Sequence, residues 1–231
     1  MGKMAIRLLW LIIIQVTLAG CVQLDGLGLS TTNQPNQEHG KLVLPSVSTG
    51  EIVNRQCHKD FISTRKNILV AERTVPGDTH YIEFRLRHSP VLPSGHMYVV
   101  YGKLDTEGMP QSFNYTGLFP KGSVVGLYTG TILPIPMSAE LEPSILDCNF
   151  RPISAYRRSI SAAQYDKLLT KVAEYKSNPP KWVMYSFNCN HYAASLGETV
   201  GMTSPTGRRS LQFLSIIYFR QFVLANGDKI S

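Results

Sequence analysis

The alternation of apolar and polar positions predicts the β-strands of this chain. Residues 79–87 alternate, with apolar side chains on one face and polar or charged ones on the other, as in a half-buried strand. A second β-rich run covers residues 96–104, and a third at residues 111–118 completes a predicted hairpin after a turn at residues 105–108. Further strands are predicted at residues 123–135 and 153–158.

Apolar residues that recur every three or four positions predict helices. Residues 161–176 give the clearest pattern, because Ser161 and Gln164 can form a capping box ahead of an apolar stripe. This stripe, expected in the core, consists of Tyr165, Leu168, Leu169, Val172 and Tyr175. A second helix begins at Cys189 and ends before Gly201. Strands followed by helices indicate an α+β domain, with an antiparallel sheet packed against the helix that carries Cys189 at its N-terminus.

Residues 211–224 are apolar on nearly every side but too short to span a membrane. We expect a helix that ends at Asn226-Gly227 and packs in the core. An alternative is that these residues line an acyl-chain groove or touch a membrane surface. The side chains available for this second role are Phe213, Ile217, Phe219 and Phe222.

The N-terminus has the pattern of an export signal. Basic residues precede an apolar run, and the sequence Leu18-Ala19-Gly20-Cys21 resembles the bacterial lipoprotein box. The resemblance implies cleavage after residues 1–20, diacylation of the Cys21 sulfur and attachment to the membrane through that lipid. Val22 follows the cysteine instead of Asp, which in the lipoprotein pattern indicates the outer membrane, facing the periplasm. An ordinary signal peptide with an incidental cysteine is the alternative.

The rest of the chain divides into a tether and one domain. Residues 21–50 are rich in small and polar residues, which predicts a flexible tether that starts at the lipidated Cys21. Residues 51–231 leave about 180 residues, enough for a single domain with its own core. Loss of residues 1–20 removes two basic residues and no acidic one, so the formal net charge falls from +7 to +5. Because this charge is dispersed, it fits a membrane surface and does not support nucleic-acid binding.

Cys189 is the candidate nucleophile. At a helix start, backbone amides and the helix dipole favour the thiolate, and His96 at the head of a strand is a suitable base. Two motifs resemble the lecithin retinol acyltransferase family. The first is the strand from His96 to Tyr101-Gly102, and the second is Asn-Cys-x-His-Tyr at residues 188–192. They also resemble the related circularly permuted NlpC-type hydrolases. The resemblance covers roughly residues 78–205 and implies a permuted papain-like fold.

A papain-type site needs a third polar group that orients the imidazole, and the resemblance places it on the strand after His96. If residues 106–108 form a three-residue loop with Gly108 in the left-handed conformation, Asn114 shares the face of His96. We therefore predict that Asn114 orients His96, although family members commonly place a second His there. A four-residue loop would bring Gln111 onto that face instead.

The resemblance implies a periplasm-facing thiol hydrolase or acyltransferase that acts on an amide or ester bond. Cys189 would attack the carbonyl, His96 would take and return the proton, and Asn114 would orient His96. A cell-wall peptide and a lipid ester both fit as substrates. The alternative is a catalytically inactive envelope lipoprotein that uses the same cleft for binding.

The remaining cysteines and histidines predict no metal site. Cys57 and Cys148 are left as a pair in an oxidising compartment, and a disulfide between them would contribute about 3–5 kcal/mol. Two separate buried thiols are the alternative. His191 lies two residues after Cys189, so their side chains point in different directions, and a packing or hydrogen-bonding role near the thiol is expected. No cofactor is expected.

Overall fold

A mixed five-stranded sheet is the main element of the computed structural model, which describes residues 68–88, 95–121, 130, 133, 135–141, 152–206 and 214–228. Its strands are β1 (Leu69–Arg73), β2 (His80–Arg87), β3 (His96–Lys103), β4 (Asn114–Thr116) and β7 (Pro152–Ile160), in the order β1-β7-β2-β3-β4. A separate two-stranded sheet pairs β5 (Phe119–Pro120) with β6 (Ala139–Glu140). Because β1 runs parallel to β7, the prediction of an antiparallel sheet is correct only for the other pairs.

Three helices follow the strands in the described part of the chain, as an α+β domain requires. They are α1 (Ala162–Ser177), α2 (Cys189–Thr199) and α3 (Ser215–Ala225). The predicted capping box of α1 is confirmed, since Ser161 and Gln164 each accept a hydrogen bond from the backbone of the other. Gly201 and Gly227, just beyond α2 and α3, have φ angles of 83° and 77°, the left-handed conformation that ends helices.

The helices pack on one face of the sheet and enclose the main core. That face carries Ile82, Phe84, Leu86, Met97, Val99, Tyr101 and Tyr156. From α1, Leu168 and Val172 are buried and Tyr165 and Tyr175 pack at the edge, but Leu169 is 38% exposed and lies outside the core. The α3 side chains Tyr218, Phe219, Phe222 and Val223 are buried, which confirms that this segment packs in the core. No described helix has both the length and the apolar character needed to cross a membrane.

The second face of β2 is also buried, which differs from the half-buried strand that the alternation predicts. Glu83 lies directly opposite Arg157 on β7, and its two carboxylate oxygens accept hydrogen bonds of 2.6 Å from Nε of Arg85 and Nε of Arg157. Arg157 also donates to Glu72 at 3.0 Å. Mutual pairing lets these charges lie away from water, so polar residues on this face do not mark a solvent-exposed surface.

The hairpin between β3 and β4 has the predicted turn but not the predicted register. Gly108 has a φ angle of 76° and the Asp105 amide donates to the Met109 carbonyl at 2.7 Å, as a three-residue loop requires. The carbonyl of Lys103 then accepts from the amides of both residue 111, at 2.8 Å, and residue 112, at 3.4 Å. Two residues of one strand thus face one residue of the other, so beyond this bulge the pairing shifts by one residue.

Gly102 makes room for this bulge. A Cβ at position 102 would lie 2.0 Å from the carbonyl oxygen of Ser112, a distance that no side chain tolerates. The presence of glycine at position 102, the next-to-last residue of β3, is therefore explained by the close approach of the two backbones.

Several predictions fall outside the described residues. These are the signal segment 1–20, the tether 21–50 with Cys21, the pair Cys57 and Cys148, and most of the strand at 123–135. All described residues belong to one compact unit that spans Val43–Ser231.

Candidate functional site

The start of α2 is fixed by a reciprocal cap built from the Asn-Cys-x-His motif. Oδ1 of Asn188 accepts from the backbone amides of Asn190, at 2.9 Å, and His191, at 3.4 Å. Nδ1 of His191 lies 3.4 Å from the Asn188 backbone nitrogen and 3.0 Å from Oδ1, and its tautomer determines which bond forms. The motif thus places Cys189 as the first residue of the helix, with its orientation set by the cap on both sides.

The Asn188 side chain also bonds to the residues that precede the helix. Its Nδ2 donates to the Met184 carbonyl at 2.7 Å, across a turn in which Val183 and Phe187 exchange backbone hydrogen bonds of 2.8 and 3.0 Å. Since Asn188 is fully buried, these bonds satisfy its side chain on both sides. The cap residue is thereby rigid, and so is the first turn that carries Cys189.

The Cys189 sulfur lies among hydrogen-bonding groups from α2, α3 and β3. Sγ is 3.7 Å from Oδ1 of Asn190 and 3.9 Å from Oγ of Ser215, the first residue of α3. The backbone amide of Met97, on β3, also donates to it. Arg87 adds a positive charge near the thiol from β2. The sequence gives no sign of Ser215, because only the fold brings the start of α3 to the thiol.

Burial raises the pKa of the Cys189 thiol above its usual value. The hydrogen bonds from Met97 and Ser215 and the charge of Arg87 act in the opposite direction, but desolvation is the larger effect. The backbone hydrogen bond from Asn190, in the first turn of α2, favours the thiolate as predicted, but burial outweighs it.

His96 is connected to the thiol site through its backbone neighbour Met97, and its ring packs on aromatic side chains. It is the first residue of β3, bonded to Met97, whose amide contacts Sγ. Its ring packs 4.4 Å from Phe119 and 6.0 Å from Tyr98, between centroids. Tyr98 and Phe119 belong to the cluster on the sheet face opposite the helices. Among the described residues, His96 is not one of the groups that most strongly affect the thiol.

Asn114 does not share the face of His96, so the predicted orienting role does not fit this structure. It pairs with Tyr101, whose side chain lies on the helix face of the sheet, and its side chain bonds to Tyr165 of α1. The cause is the one-residue bulge after the turn, which moves Tyr115 onto the His96 face instead. The loop has three residues, so the four-residue loop of the Gln111 alternative is wrong, but the one-residue shift in pairing that it predicted does occur, through the bulge.

The other predicted chemistry adds no further group to this site. Among the described residues, no three His, Cys, Asp or Glu side chains are placed to hold a metal ion. Cys189 is a free thiol in the described part of the chain, while Cys21, Cys57 and Cys148 lie outside that part. No protein-family model matches the chain, and searches of curated proteins and of solved structures give no significant match. The structure therefore defines an α+β domain with a mixed sheet and a cysteine at the capped start of a helix.

Proposed function

We propose that this domain is a thiol hydrolase or acyltransferase with a permuted papain-like fold. Its nucleophile is Cys189. The observation that carries the proposal is the environment of Sγ. The sulfur lies in the first turn of a helix with a reciprocal N-terminal cap, near the Met97 amide, the Ser215 hydroxyl and Arg87. These groups stabilise negative charge, which forms on the sulfur before attack and on the carbonyl oxygen after it.

The reaction has two steps. Sγ bonds to the carbonyl carbon of an amide or ester, and the amine or alcohol leaves with the thiol proton. Water, or an acyl acceptor, then attacks the thioester and releases the cysteine. The backbone amide of Cys189 at the helix start is one donor to the oxyanion.

His96 is the proposed base and transfers the proton in both steps. The support is its chain position, because Met97 is bonded to His96 and donates its amide to Sγ. In this mechanism the imidazole, which packs on Phe119, turns toward the sulfur. Gly95, with a φ angle of 76°, precedes His96 and gives the start of β3 a backbone turn about which this change can occur. Asn114 has no part in this mechanism.

The proposed location is the cell envelope, with the domain held by lipid at Cys21 and facing the periplasm, at the outer membrane. The support is the Leu18-Ala19-Gly20-Cys21 sequence and the tether at residues 21–50. A cell-wall peptide and a lipid ester are the substrates that fit this location and this chemistry.

A second candidate is a non-catalytic envelope protein that binds a ligand in the same cleft. Two observations favour it: burial raises the pKa of the Cys189 thiol, and the His96 ring packs on Phe119. In this case neither residue needs to move.

An activated ester separates the two candidates without knowledge of the substrate. The full chain in detergent is mixed with p-nitrophenyl acetate, and acetylation of Cys189 is followed by mass spectrometry together with nitrophenol release. Catalysis predicts repeated turnover that Cys189→Ala abolishes and His96→Ala slows by about 100-fold. His80→Ala is the matched control, because His80 stacks on Tyr165 at 4.1 Å on α1. Slow acetylation that is equal in wild type and His96→Ala would support the binding protein.

A further inference from the structure

Ser215 is a buried hydroxyl on an otherwise apolar helix face. The other buried residues of α3 are Tyr218, Phe219, Phe222 and Val223. Ser215 is fully buried as well, yet it does not cap its own helix, whose N-cap Leu214 makes no side-chain hydrogen bond. Alanine would fill this position with better helix propensity and no polar group to satisfy.

The hydroxyl has one hydrogen-bond partner in the described residues, the sulfur of Cys189 at 3.9 Å. The backbone beside Ser215 is shaped to fit it. A Cβ at Gly95 would lie 3.1 Å from the Arg87 carbonyl oxygen, which is too close, and 3.4 Å from Cβ of Ser215, which is van der Waals contact. Gly95 thus lets the start of α3 lie against the start of β3, where the thiol is.

The directions of the hydrogen bonds around the sulfur are consistent. Sγ can donate its own proton to Oδ1 of Asn190 at 3.7 Å, which leaves Ser215 as the donor to the sulfur. When the thiol proton leaves, the Ser215 hydroxyl and the Met97 amide still donate to the anion.

We propose that Ser215 is a positioning residue for Cys189, which holds the sulfur by a donated hydrogen bond and stabilises its thiolate. This role deepens the proposed thiol chemistry and rests on it for its purpose, while the hydrogen bond itself can be tested without any substrate. In this role, α3 contributes to the thiol site as well as packing in the core.

The test is the pH profile of alkylation at Cys189 in the full chain. Iodoacetamide labelling is read on the tryptic peptide of residues 182–208, which contains no other cysteine. Ser215→Ala is expected to slow labelling at neutral pH by about 3- to 10-fold and to move the profile to higher pH, with the alkaline limit unchanged. Ser195→Ala is the matched control, because Ser195 lies on α2 but bonds to Tyr192 and Tyr175.

Two other titratable groups near the thiol do not obscure this profile. Arg87 stays charged throughout. Burial raises the pKa of Tyr218, which lies on α3 near Cys189, so Tyr218 stays neutral over the pH range of thiol titration. The pH profile of the His96→Ala variant, compared with that of wild type, shows how much the imidazole contributes.

A Ser215→Ala profile that superimposes on that of wild type overturns the proposal. If Ser215→Ala does not fold by circular dichroism, Ser215→Gly, which also lacks the hydroxyl, takes its place: a profile at higher pH supports the proposal and a wild-type profile overturns it. A shifted Ser215→Ala profile in a chain that does not turn over the activated ester would leave this inference standing and remove the proposed enzyme.

Discussion

At the scale of the residue, Glu83 is a buried carboxylate whose charge depends on two arginine partners. It is 1% exposed and lies between Arg85 and Arg157. Burial alone would raise the pKa of this carboxyl, but the two guanidinium groups outweigh burial and hold the pKa below its usual value of 4.5. A buried ion pair of this kind adds little against a well-packed apolar replacement, yet removing one partner leaves the other charge unpaired.

Glu83→Gln should therefore destabilise the fold by about 3–5 kcal/mol at neutral pH. The sign of the pH dependence follows from the lowered pKa. The stabilisation is complete above pH 4.5 and is lost as the pH falls through the lower folded-state pKa. Urea unfolding at several pH values tests both points. The difference between wild type and Glu83→Gln should shrink in acid, and a difference that is constant with pH would contradict this account.

Glu72→Gln is the control for Glu83, because Glu72 meets the same Arg157 while 40% exposed. Solvent screening limits its contribution to about 1 kcal/mol or less. The alternation in the sequence predicts that Glu83 and Arg85 share one face of the strand, but not that this face is buried. Glu83 and Arg157 are 74 residues apart, and the alternation in residues 79–87 is the same whether the polar face meets water or a paired strand.

At the scale of the element, Asn188 determines where α2 begins and how Cys189 is held. Replacement of an N-cap by alanine costs about 1–2 kcal/mol. Asn188→Ala should also loosen the first turn, so that Cys189 is alkylated faster at high pH, where every thiol is ionised. Ser161→Ala removes the comparable cap of α1. It should cost a similar free energy and leave the alkylation of Cys189 unchanged, and equal effects of both variants on alkylation would refute a local role for Asn188.

The β3–β4 hairpin depends on Gly102 for its register. Gly102→Ala places a Cβ against the Ser112 carbonyl and should destabilise the fold by about 3 kcal/mol, as overpacking against backbone does. Gly77→Ala is the comparison, because Gly77 has a φ angle of 90° but open space around it, so only backbone strain of about 1 kcal/mol applies. Thermal unfolding of the two variants measures the difference, and equal losses would show that the bulge is not tight.

This hairpin marks the limit of what local patterns can predict. Turn chemistry correctly gives the loop at residues 106–108 and the left-handed Gly108. The bulge beyond it is set by contacts with Gly102 and by the Tyr81 hydroxyl, which donates to the Ser112 carbonyl at 3.0 Å, so it depends on a third strand. A shift of one residue exchanges the two faces, and Asn114 consequently faces α1 and not His96.

At the scale of the whole molecule, the sheet order is the feature least accessible to sequence. β7 lies between β1 and β2, far from both along the chain, and pairs with β1 in parallel. Each helix, by contrast, follows from its own period and caps, and the apolar tail correctly predicts a core helix in α3. Tertiary contacts then fix its end, where the Tyr156 hydroxyl donates to Asp228 and Asn226 exchanges two hydrogen bonds with Thr203.

The closing of the core by α3 depends on Phe222. Its ring lies 4.7 Å from that of Phe84 on β2, and Gly197 of α2 leaves space for it, since a Cβ there would lie 2.9 Å from the Phe222 ring. Phe222→Ala would leave a cavity where sheet, α2 and α3 meet, and should destabilise the fold by about 3–5 kcal/mol. Leu224→Ala, on the same helix but 55% exposed, should change stability by about 0.5 kcal/mol or less.

Urea unfolding of the full chain measures the effects of Phe222→Ala and Leu224→Ala, and alkylation of Cys189 connects them to the site. Because Ser215 opens the same helix, loosening of α3 by Phe222→Ala should also weaken the contact of the Ser215 hydroxyl with the thiol, so labelling at neutral pH should change as well. Stability lost with an unaltered Cys189 profile would mean that the start of α3 is held independently of the core. Loss of both together would show that packing of this helix and reactivity of the thiol are one cooperative property.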